Sequence, residues 1–111
     1  MVATFVPKKP SSVHSFSITE NYAVFFFYPV VIDGAKMFEA GFHVFELLTW
    51  LEDEPTDVFV VNLKTGEVTT METKPTYSAH HANAYEEQFR KIYVQKVPKL
   101  SIYILIFLIG L

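Results

Sequence analysis

The chain has 111 residues, half of them hydrophobic and eleven of them phenylalanine, which fits one small domain that also presents apolar surface to a partner. Its net charge of −3, without a stripe of basic residues, excludes nucleic acid as an expected ligand. The absence of cysteine excludes disulfides, thiolate catalysis and cysteine-based metal sites.

The N-terminal residues MVATFVPKKP lack the basic start and apolar run of a secretory signal, so no export is predicted. The expected location is the cytoplasm. Membrane association through the apolar C-terminus, LSIYILIFLIGL, stays open as an alternative. This run of twelve residues is shorter than the roughly 20 residues that a membrane-spanning helix needs.

Short strands are predicted in the first half of the chain. The stretch VHSFSI, residues 13–18, alternates like a strand with two distinct faces. Residues 23–32, AVFFFYPVVI, are aromatic and β-branched and predict a buried strand that is interrupted at Pro29. Residues 35–50 combine a helical apolar stripe with a central glycine, and we expect a short helix or an irregular linker there.

The second half also favours strands. The runs DVFVVNL and EVTTMET flank the turn sequence KTG, which is a good signal for a β-hairpin. TYSAHHANAY reads as another strand that begins after Pro75, whereas residues 85–96 fit either a strand or a helix. The predicted fold is therefore mainly β.

Three of the four histidines stand in two unusual strings, SSVHSFSITENY and SAHHANAYEE. Spacing alone does not predict a metal site, because no local ligand motif connects His14 with His80, and lone histidines usually occupy hydrogen-bonded or surface positions. Adjacent side chains of a strand point to opposite faces, so only one of His80 and His81 is expected in a shared cavity. For His43, a packed or partly exposed side chain is expected.

Together, the two strings resemble the carotenoid cleavage oxygenase family, which includes the animal β-carotene oxygenases and a retinoid isomerase. VHSFSITENY is similar to the family's His-[Ser/Asp]-Phe-x-x-Thr-x-x-Tyr segment, and HHANAYEE is similar to its His-x-x-Asn-[Ala/Thr]-[Tyr/Trp]-Glu segment. The resemblance runs from about Pro10 to Glu87. It departs from the family at Ala79, where Phe is common, and at Ala82, where the animal branch usually has Ile.

The resemblance implies a partial β-propeller, about two blades of a seven-bladed propeller. Residues 1–99 would be a fragment of the propeller domain, and residues 100–111 an apolar tail that does not match the family. Family members hold Fe(II) with four histidines from different blades, and an all-imidazole ligand set suits Fe(II). His14 and His80 would be two of these metal ligands.

The implied function is that of an Fe(II)-dependent dioxygenase, which cleaves a double bond of a carotenoid or apocarotenoid with O2 and gives aldehydes such as retinal. The isolated chain would lack two of the four iron ligands, so its own catalytic competence is left open. Two alternatives stay open: a fragment of a retinoid isomerohydrolase, and a non-catalytic small β interaction module. In the second, the histidines are structural and the apolar tail docks on a partner or makes peripheral membrane contact.

Several other side chains are expected to have no role in a metal site. Glu20, Glu86 and Glu87 are not assigned to the carboxylates that orient the family's ligand histidines, and turn or solvated positions are expected for them. Four phenylalanines are candidate core residues that would also border an apolar tunnel: Phe16, Phe25, Phe26 and Phe27.

Overall fold

The computed structural model describes residues 1–39, 41, 43–87, 91–97 and 103–108. Two short 3-10 helices, Gly34–Phe38 and Val44–Leu47, lie in this part of the chain. The strands that it contains are β1 (Ser17–Ile18), β2 (Tyr22–Phe27), β3 (Val30–Ile32), β4 (Leu48–Trp50), β5 (Thr56–Asn62), β6 (Val68–Thr73), β7 (His80–Glu87), β8 (Lys91–Val97) and β9 (Tyr103–Leu108).

The strands form three antiparallel sheets. A four-stranded sheet has the order β1-β2-β5-β6, a two-stranded sheet pairs β3 with β4, and a three-stranded sheet has the order β7-β8-β9. The prediction of a mainly β fold is therefore confirmed. None of the helices in the described ranges has the length and apolar character needed to cross a membrane.

The predicted hairpin forms between β5 and β6, with Val61 paired to Val68. The backbone N–H of Gly66 donates to the carbonyl oxygen of Asn62 at 2.8 Å, and the Asn62 side chain accepts from the N–H of Lys64 at 2.9 Å. Gly66 has a φ of 76°, a conformation that side chains disfavour, which explains why glycine occupies the turn.

Pro29 interrupts the aromatic run as predicted, since β2 ends before it and β3 begins after it. Strand β3 does not join the four-stranded sheet. It pairs with β4 in a separate sheet, where Val30 is opposite Trp50. Residues 35–50 therefore hold short helical turns, as expected, and end in a strand that was not predicted. Its pairing partner is distant in sequence, so local propensity does not reveal it.

Both faces of β2 and β5 are buried. One face contributes to a core in which strands from the three sheets meet, and its members are Val24, Phe26, Tyr28, Val30, Val58, Val60, Ile92 and Val94. On the opposite face, the Phe5 ring of the N-terminal segment packs against Phe25, Phe27 and Phe59, with centroids 5.0 to 6.0 Å apart. This double coverage explains the nearly unbroken apolar sequence of these strands.

The prediction of a strand over residues 13–18 was largely wrong. Only Ser17 and Ile18 pair with β2, while residues 12–16 form no ladder. The core prediction was likewise wrong for Phe16, which is 53% exposed, although its ring stacks on Phe25. Polar and apolar residues alternate in this segment because its polar side chains contact the sheet that contains β7, and not because its backbone pairs as a strand.

The C-terminal half contains more sheet than predicted. The strand predicted after Pro75 starts at His80 and continues to Glu87, and the ambiguous stretch that follows contributes β8. Strand β9 lies inside the segment assigned to the apolar tail and pairs with β8. The division of the chain at residue 99 stays a prediction, and residues 98–102 and 109–111 lie outside the described residues.

Candidate metal centre

His14 and His80 lie far apart in sequence, and their side chains meet at one point. His14 lies in the extended segment that leads into β1, and His80 is the first residue of β7. Their rings are 5.1 Å apart between centroids and nearly perpendicular, with an interplanar angle of 87°. Both side chains are exposed. The structure thus brings together the two residues that the sequence selected.

The separation of the two rings fits two imidazoles on one metal ion. With a nitrogen about 2.1 Å from a divalent metal, an imidazole centroid lies about 3.3 Å from it, so two such rings at an angle near 100° have centroids about 5 Å apart. Within the described ranges, no group of three or more His, Cys, Asp or Glu side chains is placed to hold a metal. These ranges therefore offer a pair of ligands, and a full set requires others.

His81 points away from this pair into the protein. Its Nδ1 atom is 2.6 Å from the Ser17 hydroxyl, its Nε2 atom is 3.1 Å from the Tyr28 hydroxyl, and its ring contacts the edge of Phe26. Burial, with a smaller contribution from Tyr77, raises the pKa of Tyr28, so this phenol stays protonated. As expected for neighbours in a strand, one histidine faces His14 and the other is hydrogen-bonded elsewhere.

Side chains at alternate positions from residue 15 to residue 21, which lie before, within and after β1, form a row of contacts with β7 and the residue before it. Ser15 donates to the carbonyl oxygen of Ala79 at 3.0 Å, Ser17 bonds to His81, and Thr19 donates to the Glu86 carboxylate. We call this row, which ends at Asn21, the polar seam. It holds the segment carrying His14 against the strand carrying His80.

Glu86 occupies a position that the sequence analysis assigned wrongly. It is half-buried and accepts hydrogen bonds from Thr19 and Asn21, whereas a turn or solvated position was expected. The expectation is confirmed for Glu20, which is exposed at a bend, and Glu87 is exposed on β7. The sequence does contain a sign of this contact. A polar residue stands at every second position from Ser15 to Asn21, which indicates a polar face.

His43 is exposed in the connection between the two 3-10 helices, as expected for a histidine without a site role. Ala79 and Ala82, the two departures from the family pattern, flank the histidine pair. Ala79 contributes its carbonyl to the polar seam, and β7 has an irregular register between His81 and Asn83, which places Ala82 in a bulge. Neither alanine removes a ligand.

Comparison with known proteins gives a consistent result. A sequence model of the family described as "Retinal pigment epithelial membrane protein" matches residues 2–104. Beta,beta-carotene 15,15'-dioxygenase from Rattus norvegicus is 37% identical over 83 residues, which are 70% of this chain and 15% of the relative. The enzyme of the same name from Gallus gallus is 39% identical over 71% of this chain and 16% of its own length.

Solved structures agree with the sequence relatives. Cobalt-substituted apocarotenoid oxygenase from Synechocystis matches 82% of this chain and 20% of its own, with a TM-score of 0.68 and 26% identity. A chimera of that oxygenase with the retinal pigment epithelial protein matches 84% of this chain and 19% of its own, with a TM-score of 0.69 and 27% identity. These neighbours are propeller enzymes, so the described sheets correspond to part of a propeller.

The chain spans about 15% of the length of the curated relatives that it matches. Family model, sequence relatives and fold all point to one group of proteins. The chain therefore belongs to the family of the retinal pigment epithelial membrane protein and the carotenoid cleavage dioxygenases.

Proposed function

We propose that this chain supplies two histidine ligands, His14 and His80, to the Fe(II) centre of a dioxygenase that cleaves a polyene double bond of a carotenoid or apocarotenoid. The observation that carries the proposal is the convergence of the two rings, whose centroids are 5.1 Å apart although the residues are 66 positions apart in the chain. A solved neighbour is described as cobalt-substituted, which supports a divalent metal in this fold.

The residues of the chain fit this role chemically. Neutral imidazoles suit Fe(II), and a ligand set made only of them leaves the positive charge of the metal unquenched. When bound, the iron would supply the chemistry with O2 by which one carbon–carbon double bond becomes two aldehydes, so that each carbon takes one oxygen atom. Retinal is such an aldehyde when the substrate is β-carotene.

The surroundings of the pair define what the protein itself contributes. The polar seam orients the two histidine-bearing segments, and His81 is held by Ser17 and Tyr28 away from the metal position. Phe16 stacks on Phe25 with 53% of its own surface exposed, close to His14 in sequence, and offers apolar surface of the kind that a polyene contacts. The other ligands would come from parts of the protein outside this chain.

The test is binding of Co(II), a probe for the ferrous site, to the 111-residue chain. We expect one site per chain whose affinity falls at least about tenfold in His14→Ala and in His80→Ala, because each change removes a ligand. His43→Ala is the matched control, since it removes an exposed histidine that lies in another part of the fold. Because two ligands bind a metal weakly, the titration extends to millimolar Co(II). Absence of a 1:1 site even at that concentration, or binding that survives both ligand replacements, contradicts the proposal and favours the non-catalytic interaction module.

A further inference from the structure

His14 lies in an extended segment that leads into β1, whereas His80 begins β7, which belongs to a different sheet from β1. In the described part of the chain, β1 pairs with β2 and β7 pairs with β8, so the contact between β1 and β7 is made by side chains. The hydrogen bonds of the polar seam run in the same order along both segments, from Ser15–Ala79 through Ser17–His81 to Thr19–Glu86. The relative position of the two histidines therefore depends on the polar seam.

Glu86 is the ionised member of the polar seam and makes most of its hydrogen bonds. Its Oε1 atom accepts from the hydroxyl of Thr19 and from the backbone N–H of Asn21 at 2.7 Å, and its Oε2 atom accepts from the Asn21 side-chain amide at 2.9 Å. Bonds to an ionised carboxylate are stronger than those between neutral groups. The end of the polar seam is therefore its strongest attachment.

The ionisation of Glu86 agrees with this geometry. Burial by itself would raise the pKa of the carboxyl, but the hydrogen bonds from Asn21 and Thr19 outweigh it, and the pKa lies below its ordinary value. Glu86 is thus charged at neutral pH and offers only acceptors to the three donors that surround it.

We propose that Glu86 is a positioning residue, which fixes the separation of His14 and His80 by clamping the loop between β1 and β2 to strand β7. This inference rests on the proposed function, because it assigns the clamp a purpose in presenting two metal ligands. A metal site tolerates displacements of only about 0.5 Å, so a connection between the segment that carries His14 and the strand that carries His80 has a direct effect on metal affinity.

The experiment measures the histidine pair with and without metal. In the metal-free 111-residue chain, the ring protons of His14 and His80 are expected to give a nuclear Overhauser cross-peak, since the rings are adjacent. Glu86→Leu removes every acceptor of the clamp. A displacement of the rings would then weaken this cross-peak severalfold, because its intensity falls with the sixth power of the distance between the protons. The affinity for Co(II) should fall about tenfold in the same variant.

Three further variants separate positioning from general destabilisation. Glu86→Gln keeps an oxygen acceptor for Thr19 and the Asn21 N–H and should retain the cross-peak. Glu87→Leu changes the neighbouring carboxylate, which accepts from Tyr93, and should leave the histidine pair unaltered. Met71→Ala loosens the core, against which Met71 packs, and should lower the unfolding temperature without weakening the cross-peak or the affinity for Co(II).

If Glu86→Leu fails to fold, the double variant Thr19→Ala/Asn21→Ala provides the test. It removes two of the three donors and leaves Glu86 in place, and it should also weaken the cross-peak. The inference is overturned if the wild-type chain shows no cross-peak, if the cross-peak survives loss of the clamp, or if Met71→Ala weakens it equally. A wild-type cross-peak that depends on Glu86, in a chain that does not bind Co(II), supports the clamp and defeats the proposed function.

Discussion

The Ser17 hydroxyl and the Nδ1 atom of His81 are 2.6 Å apart, and this bond divides the roles of two adjacent histidines. His81 is engaged on both ring nitrogens, by Ser17 and by Tyr28, whereas His80 is exposed and faces the ring of His14. Because strand neighbours point to opposite sides, anchoring His81 inward also determines the direction in which His80 points.

Replacing these two neighbours is expected to give opposite results. His81→Leu leaves the buried Ser17 hydroxyl without this partner and should lower the free energy of unfolding by about 2 kcal/mol. His80→Ala changes an exposed side chain and should alter it by less than about 0.5 kcal/mol. Urea denaturation with a metal chelator present measures both, since bound metal would otherwise add its own stabilisation. Equal losses in the two variants would show that the assigned roles are wrong.

Local pattern was sufficient for some of the fold. The β5–β6 hairpin and the interruption at Pro29 follow from turn chemistry and from the missing N–H of proline, which act over a few residues. The choice of His14 and His80 came from motif resemblance, and the structure brings the rings together. The sequence strings could not reveal which residues would maintain that contact.

The features that escaped prediction depend on partners far along the chain. Strand β4 forms by pairing with β3, which lies 18 residues earlier in the chain, and Glu86 is half-buried because the loop between β1 and β2 contacts it. Phe16 is a large apolar residue of the kind found in cores, but it lies on the face of its segment opposite the polar seam. It is therefore 53% exposed. Periodicity indicated the two faces of residues 13–18, and tertiary contacts decided which one is covered.

The hydrogen bonds of Glu86 predict a specific dependence of stability on pH. A carboxyl whose pKa is lower in the folded protein stabilises it at pH values above the unfolded pKa, which is 4.5, and this contribution is lost as pH falls through the folded pKa. Glu86→Gln should therefore be less stable than the wild type at pH 7, and the difference should shrink below pH 4.5. Urea denaturation across this range measures it, and a difference that persists unchanged at acid pH would contradict the assignment.

Phe26 and Phe16 differ in burial, which predicts different losses of folding stability when each is replaced by alanine. Phe26 is fully buried in the core and contacts the His81 ring, so Phe26→Ala should cost about 4 kcal/mol. Phe16 is half-exposed, and Phe16→Ala should cost less than about 1 kcal/mol. Thermal unfolding of both variants gives the comparison. A large loss for Phe16→Ala would mean that its stacking on Phe25 matters more than its exposed surface indicates.

The turn glycine at position 66 is expected to resist substitution for two separable reasons. Its φ of 76° is strained for any other residue, and a Cβ at this position would clash with the carbonyl oxygen of Val2. The first effect costs about 1 kcal/mol. The second forces the N-terminal segment to move, which adds to the loss.

Gly41 provides the matched control, because its φ is 79° and no atom of the described chain lies within 4 Å of the added Cβ. Gly41→Ala should therefore show only the backbone strain, and Gly66→Ala a larger loss in urea denaturation. Deleting residues 1–3 removes the Val2 carbonyl. In the shortened chain, Gly66→Ala should lower the free energy of unfolding only as much as Gly41→Ala does, with the shortened wild-type chain as the reference. A penalty that the deletion leaves unchanged would place its cause in the turn alone.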